Sequence, residues 1–347
     1  MSDRFKNLKE IRKESITVSY FFEEIQKNFK ISKVTSKAIN PSKSITAKDI
    51  HRPGLVLAGY VELFTYSRVQ VFGNTEIKYL KSLSKKEKLN TLKRYFGFDV
   101  PCIIVTDNNR IPSELIKLAG ENGVTVFKTI EPTTKTVYIV GDFLDDQFAP
   151  HTPIHGAFVD VYGIGMLLVG KAGIGKSEIA LDLVERGHRL VADDIVIVSK
   201  KAESVLIGSG TELIQHFMEI RGLGIINIKK IFGIRAIRYQ KRVEVIVELE
   251  NWGKNKSIER VGLVTKYSNI MGIDLETIHL PIYPGKSITV LAEVIALNYL
   301  CKHYGYDAAN VLAEKLKDAI KSNKEGGFQK LEPVFKRTVN YFEHDFE

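Results

Sequence analysis

The feature that most constrains the fold is a glycine-rich loop between an apolar stretch and an amphipathic segment, at residues 166–187. Residues 170–177, GKAGIGKS, match the pattern G-x-x-x-x-G-K-S/T at every position. The apolar stretch MLLVG before the loop predicts a buried strand. The segment after it predicts a helix, with Ile179, Leu183 and Val184 on one face. A strand, loop and helix in this order indicate an α/β domain with a phosphate-binding loop.

Each residue type in this loop suits contact with phosphate oxygens. Glycines let backbone N–H groups turn toward an anion, and the N-terminus of the helix adds partial positive charge. Lys176 would contribute a full charge, and the hydroxyl of Ser177 would bind Mg²⁺. The alternative is a glycine-rich turn that binds nothing, which the flanking strand and helix disfavour. The predicted nucleotide-binding residues are Gly170, Lys171, Ala172, Gly173, Ile174, Gly175, Lys176 and Ser177.

Two adjacent carboxylates, Asp193 and Asp194, interrupt the apolar stretch HRLVADDIVIV. Aspartate is rare in strands and costly to bury without a partner. One interpretation is a surface turn between two strands. The other places the pair beside the loop, with one carboxylate near Mg²⁺ and one acting as a base toward an attacking hydroxyl. Only one helix and one strand separate the pair from Lys176, which favours the second interpretation.

Three further residues are weaker candidates when each is taken alone. His155, in PIHG, is of a type that usually serves in loops or in packing. Glu219, in MEIRGLG, could reach Mg²⁺, but half of such segments are simply tight turns. Arg260 could stabilise the charge of a phosphoryl group in transfer, although an isolated arginine is more often a surface residue.

The length of 347 residues predicts two domains. We place an N-terminal α/β domain at residues 1–145 and a catalytic domain at residues 146–347, with a turn-rich boundary at 142–153. In the first domain, residues 100–107 predict a buried strand. A helix is expected to start near Pro112, and VTVFKT predicts the next strand.

Two elements of the second domain complete the predicted fold. Residues 243–249 alternate apolar and charged side chains, as a half-exposed strand does. Residues 287–305 predict an amphipathic helix, with Ser287 as its N-cap and Gly305 at its end. The fold class predicted for the chain is therefore α/β, with a small α/β N-terminal domain and a P-loop C-terminal domain.

The overall composition limits the class of protein and its partners. Hydrophobic residues make up 44% and charged residues 26%, which indicates a globular chain. The sequence has no apolar run near the ~20 residues that span a bilayer and no apolar signal core at its start, so we expect a cytoplasmic protein without a membrane partner. Cys102 and Cys301 lack metal or redox spacing and are expected to be reduced packing residues. The net charge of +9 favours acidic partners, but its scattered distribution predicts no nucleic-acid surface.

Four separated blocks of the sequence resemble the bacterial HPr kinase/phosphorylase family. They are the stretch from HGAFVDVYG through VADD, the segment MEIRGLGIINIKKIFG, the pair Glu259-Arg260, and PIYPGKSITVLAEVIA. HRPGLVLAGY and VQVFGNTEIKYL are similar to the family's N-terminal domain, so the resemblance covers roughly residues 50–300. It implies a C-terminal domain similar to phosphoenolpyruvate carboxykinases.

This resemblance implies roles for individual residues. Lys176 matches the family's loop lysine, and Ser177 and Glu219 match its Mg²⁺ ligands. Asp194 matches the residue that accepts the proton of a serine hydroxyl and returns it in the reverse reaction. The other positions that match catalytic residues are His155 and Arg260.

The resemblance also implies substrates and an assembly. ATP with Mg²⁺ would phosphorylate a serine of the phosphocarrier protein HPr, and inorganic phosphate would reverse the reaction with release of pyrophosphate. Residues 218–227 match a segment needed in both directions, and residues 281–286 match one tied to dephosphorylation. The family forms hexamers and regulates carbon metabolism and sugar uptake.

The sequence departs from the family pattern at two places. Lys171 and Ala172 stand where many members have Asp-Ser, which adds positive charge near the nucleotide. Tyr283 and Lys286 stand where many members have arginines, and neither offers the planar fork that grips phosphate. Two other functions remain as alternatives: a P-loop small-molecule kinase or carboxykinase relative, and a nucleotide-sensing module without catalysis.

Overall fold

The structure, a computed structural model, describes residues 3–6, 8–251, 265–282, 285 and 287–325. Its first part consists of short strands and helices that alternate along the chain. The strands are β1 (Ile16–Thr17), β2 (Ile31–Lys33), β3 (Ser44–Ile45), β4 (Ile50–His51), β5 (Val69–Phe72), β6 (Cys102–Val105) and β7 (Thr125–Thr129). The helices are α1 (Val18–Ile25), α2 (Gly54–Ala58), α3 (Asn74–Ser82), α4 (Lys85–Tyr95), α5 (Ser113–Glu121) and α6 (Thr133–Phe148).

This first part is a sheet with helices on both faces. The strands β4, β5, β6 and β7 run parallel, and β2 adds an antiparallel edge. One face packs against α2 to α5 and the other against α1 and α6, which is why the inner strands β5, β6 and β7 are mostly apolar. The strands predicted at residues 100–107 and 124–129 are confirmed as β6 and β7, and the helix predicted near Pro112 is α5.

The segment at residues 142–153 is mostly regular structure, so the prediction of a turn-rich stretch there is wrong. The helix α6 continues to Phe148, and the next strand begins at His151. Val140 and Leu144, one helical turn apart, are buried against the sheet and hold this end of α6 in place. Ala149 and Pro150 alone connect the two elements. The domain boundary at 145/146 stays a prediction.

The second part begins with this strand and is richer in strands. They are β8 (His151–His155), β9 (Ala157–Val161), β10 (Ile164–Gly170), β11 (Arg189–Ala192), β12 (Ile195–Lys201), β13 (Val205–Ser209), β14 (Phe217–Ile220), β15 (Gly224–Asn227), β16 (Gln240–Arg242), β17 (Val245–Asn251), β18 (Lys266–Ile270) and β19 (Ile273–Ile282). The helices are α7 (Lys176–Glu185), α8 (Ile228–Phe232), α9 (Ile288–His303) and α10 (Ala308–Glu325).

The second part stacks two sheets and a helical layer. The central sheet has the order β11-β9-β10-β17-β19-β18, in which β10, β17 and β19 are parallel. The helices α7 and α9 cover one face, and the sheet β16-β13-β12-β8 covers the other. Gly170, Leu249 and Leu280 are paired across the parallel strands. The chain therefore leaves all three strands at the same edge of the sheet.

The prediction that residues 243–249 form a half-exposed strand is wrong, because the strand found there, β17, is in the interior. It lies between β10 and β19, with Val245 and Val247 buried toward the helices and Ile246 buried toward the second sheet. The charged residue Glu248 fits this interior position because Arg4 pairs with its carboxylate at 3.3 Å. The alternation in the sequence therefore reflects an ion pair and not a solvent-exposed face.

The helix predicted at residues 287–305 is confirmed as α9, but the prediction that it is amphipathic is wrong, because apolar residues such as Val290 and Val294 are exposed. The Ser287 side chain accepts a hydrogen bond from the backbone N–H of Val290, and Gly305 follows the helix with φ 90°. Glu293 of this helix is buried, and it binds Arg186 beyond the end of α7 through bonds of 2.8 and 2.6 Å. The ring of His188 lies 3.1 Å from the same carboxylate. These contacts join α9 to the helix that follows the loop.

We expect Glu293→Gln to lower the free energy of unfolding by about 1–3 kcal/mol at neutral pH, because charge-assisted hydrogen bonds are lost. The Arg186 hydrogen bond lowers the pKa of Glu293 in the folded protein. The extra stability of wild type over Glu293→Gln should therefore be full above the unfolded-state pKa of Glu293. It should disappear as pH falls through the folded-state pKa of this carboxyl. Urea unfolding measured from pH 7 down to about pH 3 would show this.

The matched control for this variant is Glu185→Gln, which removes an exposed carboxylate from the last turn of α7. It should change stability by less than about 0.5 kcal/mol. Equal unfolding midpoints for the two variants at pH 7 would contradict the role given to Glu293.

The two cysteines differ in environment. Cys102 is buried in β6, and burial raises the pKa of its thiol to about 12. Cys301 is exposed on α9, so the prediction that it is a packing residue is wrong.

Among the helices of the described residues, none combines the length and the apolar character needed to cross a membrane.

Candidate active site

The glycine-rich loop leaves the centre of the six-stranded sheet. The strand β10 ends at Gly170, and α7 begins at Lys176, as the sequence predicted. Gly173 and Gly175 have φ of 74° and 98°, a left-handed conformation that favours glycine over residues with a Cβ. These turns let the loop curl back over the N-terminus of α7, where unpaired N–H groups and the helix dipole favour an anion.

The side chain of Lys176 folds over this loop. Its Nζ donates a hydrogen bond of 3.3 Å to the carbonyl oxygen of Lys171. The ammonium group is thereby held at the loop that the backbone forms. This position suits a charge that contacts the outer phosphates of a nucleotide.

Ser177 and Asp193 are joined at the base of the loop. The Ser177 hydroxyl donates to Asp193 Oδ1 at 3.1 Å. Asp193 is buried, and burial raises the pKa of its carboxyl to about 6, against the smaller opposing effect of the Ser177 bond. A hydroxyl and a carboxylate side by side are oxygen donors of the kind that Mg²⁺ takes. These residues therefore fit the ion that the sequence implied.

Asp194 and His155 lie beside this pair, toward solvent. Asp194 is in the turn between β11 and β12 and has φ 65°, a conformation that Asp tolerates better than most residues. His155 ends β8, and its Nδ1 lies 3.9 Å from Asp194 Oδ1. Both side chains are largely exposed, that of His155 at 81% of its surface and that of Asp194 at 73%. Asp193 is buried and bonded to Ser177, and Asp194 is exposed in the same turn. The pair is therefore a turn between two strands that lies beside the loop, and the roles of metal ligand and base stay predictions.

The hairpin of β14 and β15 covers the loop from the other side. Met218 anchors it in the core against α7, and Arg221 follows β14 in the turn. The Arg221 guanidinium packs so closely on Gly173 that a Cβ there would lie 2.7 Å from Nη1. The exposed Glu219 precedes Arg221 by two residues in the same hairpin. The segment MEIRGLG is therefore a tight turn that also brings charge to the loop.

Several predicted site residues lie outside the described residues. They are Arg260, Tyr283 and Lys286. The strands before them, β17 and β19, run parallel to β10 and end at the edge where the loop begins. For the described part of the chain, the candidate site therefore consists of the loop, Asp193, Asp194, His155 and the hairpin.

A phosphate loop on a mixed sheet, a buried Asp193 bonded to Ser177 and an exposed carboxylate next to it define a P-loop kinase. Two family models match the chain, HPr Serine kinase N terminus at residues 16–144 and HPr Serine kinase C-terminal domain at residues 146–316. The chain belongs to the HPr serine kinase family, which confirms the resemblance found in its motifs.

Individual relatives agree over most of the chain. An HPr kinase/phosphorylase from Chloroherpeton thalassium is 52% identical over 340 residues, 98% of this chain and 98% of the relative. Another from Prosthecochloris aestuarii is 52% identical over 314 residues, 90% of this chain and 92% of the relative. A solved Hpr(Ser) kinase/phosphatase from Coxiella burnetii is 33% identical and covers 46% of this chain and 97% of its own, with a TM-score of 0.42.

Proposed function

We propose that this protein transfers the γ-phosphoryl group of ATP, with Mg²⁺, to a serine of the phosphocarrier protein HPr. The observation that carries the proposal is the exposed carboxylate of Asp194 next to Asp193, which is buried and bonded to Ser177. A serine on the surface of another protein can reach an exposed base, whereas a small-molecule kinase usually encloses its substrate. The exposed side chains of Leu223 and Ile225 in the hairpin offer apolar contact area for such a partner.

In the forward direction, the loop N–H groups and Lys176 hold the phosphates. The oxygens of Ser177, Asp193 and Glu219 would hold Mg²⁺, which neutralises phosphate charge when bound. Asp194 accepts the proton of the serine hydroxyl, with the His155 ring 3.9 Å from its carboxylate. Arg221 and Arg260 stabilise the negative charge of the phosphoryl group during transfer.

The reverse reaction uses the same groups. Inorganic phosphate attacks the phosphorus of the phosphoserine, and pyrophosphate is the second product. Asp194 then returns its proton to the serine oxygen as the O–P bond breaks. One carboxylate therefore serves as base in one direction and as acid in the other.

The proposal extends to assembly and location. We infer a cytoplasmic homohexamer that regulates carbon metabolism and sugar uptake, as the family resemblance implies, without a nucleic-acid or membrane partner. Its net charge of +9 would favour an acidic protein partner.

Incubation with purified HPr, labelled ATP and Mg²⁺ tests this function against its alternatives. We expect label on an HPr serine. Transfer only to a small molecule would support a small-molecule kinase, and binding of ATP without transfer would support a sensing module. Either result would contradict the proposal.

The reverse reaction is where the sequence departs most from its family. Two anions must be held together, and Tyr283 and Lys286 stand where relatives carry arginines that bind phosphate through two parallel bonds. We expect a higher phosphate requirement than in relatives, which Tyr283→Arg should lower while kinase activity is kept. Release of HPr and pyrophosphate at varied phosphate measures this. An unchanged requirement would mean that Tyr283 is not limiting.

A further inference from the structure

The first residues of the chain pack on the second part of the protein. We call residues 3–6 and 8–11 the N-terminal strap. It precedes both family-model matches, the first of which starts at residue 16. Phe5 is 6% exposed and lies in the core between the two sheets, and Leu8 packs on the same core. Ile11 exchanges two backbone hydrogen bonds with His151, at 2.8 and 2.9 Å. The strap is therefore fixed at several points.

Arg4 connects this strap to the start of the phosphate loop. Its Nη1 donates to the carbonyl oxygen of Gly170 at 3.3 Å, and its Nε donates to Glu248 Oε1 at 3.3 Å. Glu248 is largely buried in β17, with 12% of its side chain exposed. The guanidinium is thus held by a carboxylate on one strand while it holds the backbone of the next strand. The adjacent residue, Phe5, is buried in the core and holds the backbone of Arg4 in place.

The bond to Gly170 acts on the orientation of the loop backbone. Gly170 is the last residue of β10 and the first of the phosphate-loop pattern. Its carbonyl group and the N–H of Lys171 belong to one planar trans peptide, so they point in opposite directions. The bond that keeps the Gly170 carbonyl oxygen pointing toward Arg4 therefore keeps the N–H of Lys171 pointing away from Arg4. Backbone N–H groups of such loops must be oriented in advance to surround phosphate.

We propose that Arg4 is a positioning residue for nucleotide binding: through Gly170 it fixes the first peptide of the phosphate loop before ATP arrives. The proposal rests on the proposed function, in that the loop must bind ATP. It assigns Arg4 no contact with substrate. Loss of Arg4 leaves the loop free to reorient, and ATP must then order it on binding, which weakens affinity.

The test compares ATP–Mg²⁺ binding to wild type, Arg4→Gln, Arg4→Lys and Arg12→Gln by titration calorimetry on the full chain. Arg12 is the control, because it lies in the next part of the N-terminal segment and pairs only with Glu10 at 2.5 Å among the described residues. We expect the ATP Kd of Arg4→Gln to rise roughly 3- to 10-fold, with Arg4→Lys partly restored and Arg12→Gln unchanged. The KM for ATP should rise equally, whereas kcat at saturating ATP should not change.

Two outcomes overturn the inference. One is an ATP Kd of Arg4→Gln equal to that of Arg12→Gln. The other is a fall in kcat with unchanged Kd, since a loop ordered by ATP should turn over normally. Thermal unfolding of the variants separates loss of the loop contact from loss of the fold, and Arg4→Lys keeps the test valid if Arg4→Gln is unstable. Wild type that binds no ATP would instead overturn the proposed function.

Discussion

Lys176→Ala should abolish phosphorylation of HPr, with a fall in rate of at least ~10²–10³-fold, and leave the fold intact. The Lys176 ammonium lies over the loop, bonded only to the carbonyl of Lys171 among the described residues. Its removal therefore takes away positive charge at the phosphates without disturbing the core. Transfer of label from ATP to HPr measures the effect, and thermal unfolding checks the fold.

The control for charge alone is Lys117→Ala, an exposed lysine on α5 in the first part of the protein. It carries the same formal change and should retain full activity. Turnover by Lys176→Ala at the same rate as by Lys117→Ala would show that the loop is not part of the active site.

Asp194→Asn should slow phosphoryl transfer by about 10²–10⁴-fold, the usual contribution of a general base. Asparagine keeps the shape of the side chain but cannot accept the proton of the serine hydroxyl. Because Asp194 makes no bond to the loop among the described contacts, ATP affinity should change little. Single-turnover kinetics at saturating ATP and Mg²⁺ isolates this step.

Substitution of the neighbouring carboxylate, Asp193, should give a different result from Asp194→Asn. Asp193 is bonded to Ser177, so Asp193→Asn should raise the Mg²⁺ concentration needed for activity. The two variants thus separate metal binding from proton transfer. If Asp193→Asn were inactive at saturating Mg²⁺ while Asp194→Asn were fully active, the two roles would be exchanged.

The sequence predicts the parts of the site whose structure is local. The strand, the glycine turns and α7 follow from residues adjacent in the chain, so the loop of residues 170–177 could be placed from its pattern. The turn at Asp193 and Asp194 was also predicted, as was its approach to the loop. His155 and Glu219 are only weak candidates on their own, because a lone histidine or glutamate carries little local signal, and their roles stay predictions that rest on the family resemblance.

Contacts between distant segments could not be predicted. Arg221 packs on Gly173 through a hairpin, and no pattern in MEIRGLG indicates which loop it covers. Glu248 suggested an exposed strand because its partner, Arg4, is 244 residues away in the chain. In both cases a charged side chain is held by a residue that only the tertiary fold brings near.

A pulse of ATP labelled in its γ-phosphate, followed by an excess of unlabelled inorganic phosphate, tests the central claim most directly. The account predicts that label passes first to a serine of HPr and then leaves HPr as pyrophosphate. Both steps should be lost in Lys176→Ala, since one loop serves both directions. Label that never reaches HPr, or that leaves ATP directly as inorganic phosphate, would contradict the account.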